Sequence, residues 1–230
     1  ARIEPDSTLV LTRDAVLRLP GTSKVRAELP AGTRLTRTAS LRVRAQGKTH
    51  EVELWGGIRA DSSGNGGFGE SVAVLAVFPE GESAPSDVAE VQTDRETYLR
   101  DKLVSLGGDD AFEIVNAHLN AGEDHNQISL FHLRQGRLRR IGEINIGAQR
   151  GSNCQDAFRQ RIHWVVEPKP GALPTIVADV ETIHAPMEIV KEDCPDRKHR
   201  QSSSHARTTY RWDKARDRYV KATRAAPREH

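Results

Sequence analysis

From Thr8 onward the chain is written as short runs in which apolar and polar residues alternate: TLVLT, RLTRTASLRVRAQ, THEVELW, SVAVLAVF, AFEIVNAHL, QISLFHLR, RLRRIGEINIG, QRIHWVVEP, TIVADVETIH, TTYRW and RYVKAT among them. A two-residue period puts successive side chains on opposite faces of a β-strand, and no long helical stripe competes with it. Turn residues separate the runs; Gly136 in RQGR marks a hairpin and PGALP breaks two others. SVAVLAVF and HWVVEP are apolar at consecutive positions, which predicts strands covered on both faces. The fold class that follows is all-β, an antiparallel sandwich or barrel of meander hairpins. Helix is limited to one or two short turns, near Ser86–Val91 and over Asp94–Leu103, where QTDRETYLRDKL has partial 3.6-residue periodicity.

The chain has 230 residues, enough for one large β domain or a small module and a larger one. The expected division is an N-terminal β segment over 1–55, a main all-β domain over 56–222 and a tail over 223–230. Hydrophobic residues are 37% and aromatics 5%, which favours a thin layered core, while 29% charged residues are ordinary for a globular chain. Residues 195–230 hold 11 Lys+Arg against 4 Asp+Glu, or +7, which leaves −5 for the rest because the whole is +2. Such a basic end attracts anionic partners or is a solvated tail; the second reading is favoured. Arg outnumbers Lys 26 to 8, a compositional bias and not a sign of Arg-specific recognition. No run approaches 18 apolar residues, so no membrane span is expected.

The two cysteines, Cys154 in GSNCQD and Cys194 in KEDCPD, lie in polar stretches and form no CxxC pair. That pattern disfavours a zinc knuckle and predicts one disulfide, worth roughly 4 kcal/mol in chain-entropy terms. A disulfide belongs to an oxidising compartment. A chain that opens ARIEPDSTLV, without Met, is expected of an exported protein whose signal peptide has been removed. The expected location is therefore periplasmic or secreted, in a bacterium.

Leu17, Arg18, Pro20, Gly21, Thr22, Ser23, Lys24 and Val25, followed by Leu29, Gly32 and Thr33, resemble the repeat of bacterial SH3-like domains. The Gly-Trp segment of that family is displaced here, with Trp55 late. The resemblance covers about a tenth of the chain and implies a module that binds cell-wall peptides or proteins. Residues 110–222 are similar to uncharacterised bacterial secreted proteins that end in a Tyr-x-Trp-Asp hairpin, here YRWDKARDRY. That similarity implies fold and compartment only.

Candidate sites divide by chemistry. GGIRADSSGNGGFGE (56–70) is glycine-rich, but it lacks the GxxxxGK[ST] of a phosphate loop and no βαβ unit surrounds it. It is expected to be a long contact loop, with Trp55, Asn65 and Phe68 as binding residues. Arg137 and Arg139 share a strand face near a hairpin, with Arg140 opposite; they form an anion-binding edge or, by preference, charges that block edge aggregation. DRKHRQSSSHAR (196–207) reads as a mobile loop and not a nucleophilic triad, since no strained turn holds a serine. TTYRWDKARDRYV interleaves aromatics with cations, but Tyr210 and Trp212 share one parity and are expected in the core, so nucleic acid is not expected as a partner. The carboxylate pairs Asp109-Asp110 and Glu192-Asp193 point to opposite faces of an extended chain.

His118, His125 and His132 recur every seven residues. Asn120 to Asp124 reads as a turn, so His118 and His125 can oppose each other across a hairpin at about 5 Å between Cβ atoms. His132 is carried roughly 23 Å along the strand, too far to share an ion. The weak metal candidates are thus His118 and His125, with Asp124. No catalytic signature and no cofactor is called for. The expected function is non-enzymatic binding of a protein or cell-envelope glycan through exposed loops, as an inhibitor or envelope factor. The alternatives are a metal-dependent hydrolase built on the histidine pair and an envelope assembly factor using its edge strands.

Overall fold

Alternation along the chain becomes fifteen strands in a computed structural model, which describes residues 7–18, 26–61, 71–91, 96–120, 123–149, 157–185 and 202–222. No described residue is helical. The first sheet holds β1 (Thr8–Val10), β2 (Ala15–Arg18), β3 (Arg26–Leu29), β4 (Arg34–Ala45), β5 (Lys48–Ile58), β6 (Ser71–Pro79) and β7 (Asp87–Glu90). Their order is β1-β4-β5-β6-β7-β2-β3. The second holds β8 (Glu96–Ser105), β9 (Asp110–Asn120), β10 (Glu123–Arg134), β11 (Arg137–Gln149), β12 (Ala157–Glu167), β13 (Thr175–Ala185), β14 (Ser202–Asp213) and β15 (Arg218–Lys221), each beside its sequence neighbour. Every pairing is antiparallel except one bridge, Arg18 to Ala89, that joins the β2–β3 hairpin to β7. Neither sheet closes into a barrel. The division drawn at residue 55 falls inside β5, and the change of sheet comes between Glu90 and Glu96.

The two sheets form layers. Val52, Leu54, Ala73, Leu75 and Val77 of the first pack on Phe112, Ile114, Phe131, Leu133 and Leu138 of the second. Asp110 fastens them by accepting from the Arg44 backbone N–H (2.9 Å) and from its guanidinium (3.3 Å). β6 is covered on both faces, as SVAVLAVF predicted: Val72 and Val74 pack with Leu29, Leu35 and Leu17 on the far side. HWVVEP departs from that expectation. Ile162 is buried and Trp164 and Val166 pack inward, but His163 and Val165 face out, with Val165 46% exposed. β12 therefore has one wet face.

The second sheet curls. β15 returns alongside β11 without pairing to it, and the space enclosed holds Leu130, Ile141, Ile162, Ile176, Ala178, Tyr210 and Tyr219. Trp212 packs against this cluster, so Tyr210 and Trp212 face the core as their shared parity predicted. Tyr210 donates to the Glu143 carbonyl (3.0 Å), and Tyr219 to that of Pro174 (3.0 Å).

The expected helical turns are strands, β7 and β8. The apparent helical period in β8 comes from a bulge: Leu99 pairs with Ile114 and Leu103 with Phe112. Residues four apart on β8 thus meet residues two apart on β9, which imitates the i, i+4 spacing of a helix. Within 196–207, Ser202–Arg207 is likewise strand and not loop, because it pairs with β13.

Candidate functional site

Three adjacent strands change character at one level. On β9, Phe112 and Ile114 are followed on the same face by Asn116; on β10, Phe131 and Ser129 precede Gln127; on β11, Asn145 lies beyond Glu143. Asn116 pairs with Gln127, and Gln127 with Asn145, so the three side chains form one row. The apolar side chains below this row meet the first sheet. At the row the first sheet ends: Asn116 Nδ2 donates to the Val91 carbonyl (3.2 Å), the last described residue after β7, while its Oδ1 accepts from Thr97 (2.7 Å). The next row pairs His118 with His125 and His125 with Gly147.

Here β11 and β12 part. Among the described residues only Ala148 with Arg159 and Gln149 with Phe158 are paired between them. Past that point the Gly147 N–H donates instead to the side-chain oxygen of Gln160 (2.9 Å), whose amide nitrogen donates to Thr182 Oγ1 (3.0 Å). The parting leaves a cleft of about 480 Å³, lined by Asn116, His125, Asn126, Gln127, Asn145, Ile146, Gly147, Phe158 and Gln160. Gly147 is its floor: a Cβ there would stand 3.8 Å from both His125 Nδ1 and the Phe158 ring. Phe158 in turn leans on His184, with centroids 6.2 Å apart.

Among the described residues no Asp, Glu, Lys or Arg lines the cleft, in a chain that is 29% charged. Five carboxamides do, and each both donates and accepts without charge. With an aromatic face beside them, the arrangement suits a neutral, hydroxyl-rich ligand having apolar patches.

Of the residues expected to bind, His118 and His125 are brought together as direct partners, and His125 lines the cleft. Asp124 precedes His125 on the strand and pairs with Leu119, so it points away from that pair. Among the described residues no three His, Cys, Asp or Glu side chains are grouped as a metal site requires. Trp55 is half-buried against Leu35, Val72 and Val74, and its Nε1 donates to Glu53 (2.9 Å), which also binds Arg37 (2.7 Å). Asn65, Phe68, Cys154 and Cys194 lie outside the described residues, and the disulfide expectation with them.

β11 stands between β10 and β12 in the strand order, but at Arg137 and Arg139 its described pairing is to β10 alone. Arg137 is exposed at the hairpin, while Arg139 reaches Asp217 (2.8 Å), which Arg134 also approaches (3.2 Å). Arg134 lies 4.6 Å over the Trp212 ring. His132 sits beneath them, 2% exposed, edge-on to Trp212 and Tyr219. Burial, and then the charges of Arg134 and Arg139, hold its pKa down to about 4. On the outer face, Asp179 accepts from Arg207 (3.1 Å) and lies 3.0 Å from His205 Nδ1; the hydrogen bond to His205 is the larger cause of its lowered pKa.

Sequence reasoning missed the amide row. Asn116, Gln127, Asn145 and Gln160 are scattered over 45 positions, and only the register brings them together. No protein-family model and no curated protein sequence matches the chain.

Proposed function

We propose that the protein is a non-enzymatic binding module of the bacterial cell envelope that recognises a neutral glycan in the cleft between β11 and β12. The observation that carries this reading is the carboxamide-rich lining beside Phe158, uncharged among the described residues. Sugar hydroxyls are both donors and acceptors, as carboxamides are, and the apolar face of a sugar ring stacks on an aromatic side chain. The extracytoplasmic setting is supported by the two cysteines in polar sequence surroundings.

Calorimetric titration with neutral oligosaccharides released from bacterial envelopes tests the proposal. Phe158→Ala is expected to weaken binding at least tenfold with the far-ultraviolet circular dichroism unchanged. Saturable binding that survives both Phe158→Ala and Gln127→Ala would place the ligand elsewhere and end the proposal.

A further inference from the structure

The cleft contains a feature that narrows its ligand further, given the glycan reading above. In a continuous sheet the Gly147 N–H would be spent on a neighbouring strand. Here it is met by the side-chain amide of Gln160, a group with the same planar geometry as a peptide unit. Gln160 is tethered at its other end by a single bond to Thr182. The amide thus stands where β12 would have paired, at the floor of a cleft that His125 and Phe158 also line.

We infer that the ligand is an N-acetylated sugar whose acetamido group takes the place of the Gln160 amide at Gly147. Its carbonyl accepts from the Gly147 N–H. Its N–H donates to the exposed side chain of Asn145, two residues along β11. Its methyl lies on the Phe158 ring, which a Cβ at Gly147 would approach to 3.8 Å. Gly147 is required for this approach: an alanine Cβ would also come within 3.3 Å of the Asp124 carbonyl and raise the floor. A sugar with a free hydroxyl in place of the acetamido group leaves the Gly147 N–H with Gln160 and gains none of these contacts. Discrimination rests on the added Asn145 hydrogen bond and the methyl contact with Phe158, because the Gly147 N–H keeps a partner with either sugar.

The test is calorimetry on the full chain with two β-1,4-linked tetrasaccharides, one of N-acetylglucosamine and one of glucose, and with N-acetyl-dialanine amide as a peptide control. The acetylated sugar is expected to bind at least tenfold more tightly than its glucose counterpart. The Gly147 amide resonance is expected to shift with the first sugar and not with the second. Gln160→Ala is expected to widen the ratio, since the internal competitor is gone. Equal binding of the two sugars overturns the acetamido inference and leaves the glycan reading standing. Binding of neither sugar overturns both, and tighter binding of the peptide assigns the amide site to a different ligand class and overturns both as well.

Discussion

Gly142 is a position where a single added methyl group finds no room. It lies on β11 opposite Leu130, beneath the ring of Tyr210. A Cβ built there stands 2.4, 2.6 and 2.7 Å from three ring carbons, where carbon atoms prefer about 3.5–4.0 Å. The ring must therefore retreat by about 1 Å. It has little room: Tyr210 is 6% exposed and packs toward Trp164 at 6.3 Å between centroids. Retreat also pulls its hydroxyl from the Glu143 carbonyl. Overpacking of this kind costs about 1–3 kcal/mol and the hydrogen bond about 1 more, so Gly142→Ala should destabilise by about 3 kcal/mol. In a chain of this size that lowers the melting temperature by roughly 6–12 °C. The assay is urea unfolding followed by tryptophan fluorescence, for Gly142→Ala, Tyr210→Ala and the double variant. If the ring is the obstacle, the methyl group costs less than about 0.5 kcal/mol once Tyr210 is alanine, and the coupling reaches about 2.5 kcal/mol. Strict additivity, or a Gly142→Ala loss below about 0.5 kcal/mol, would refute the steric account.

His132 titrates well below the ordinary histidine range, so the unfolded chain binds a proton that the folded one refuses between about pH 6.5 and 4. Stability from this group is full above pH 6.5, is lost as the pH falls toward 4, and amounts to something on the order of 3 kcal/mol; His132→Phe should flatten that part of the urea-midpoint profile. Asp110→Ala removes the carboxylate that bridges the sheets and leaves the Arg44 N–H unpaired, for an expected loss of about 2 kcal/mol in chemical unfolding. Asp217→Asn weakens the contact of the β14–β15 turn with Arg134 and Arg139, which are partly exposed; less than about 1 kcal/mol should be lost globally, while amide exchange in β15 speeds up.

How much of this was legible in the sequence depends on the distance between the residues involved. Strand identity is written locally, in the alternation of TIVADVETIH or the two-faced SVAVLAVF, and those strands form where expected. The hairpin that opposes His118 and His125 was also legible, because one short turn sets its register. β8 misled because a bulge converts a strand pairing into a helical spacing, and bulges depend on the partner strand. The outward turn of Val165 was hidden for a related reason: a branched apolar residue reads as core unless the cover of its face is known. Nothing local in RLRRIGEI reveals that β15 comes back beside β11. The cleft was out of reach altogether. It depends on where β12 leaves β11 and on where the first sheet stops, both properties of the assembled layers.

The order of strands in the two sheets has a consequence for how the chain reaches its native state. In the second sheet every strand pairs with the one just before it, so a growing chain can add its strands in sequence order. The first sheet cannot be built that way. β1 must wait for β4, and β2 must find β7 across the 71 positions from Arg18 to Ala89, held by one bridge. Pulsed hydrogen exchange during refolding should therefore find β9–β10 and β12–β13 protected early and the amides of β1 and β2 last. The N-terminal strands, first in the sequence, would be the last to acquire their neighbours.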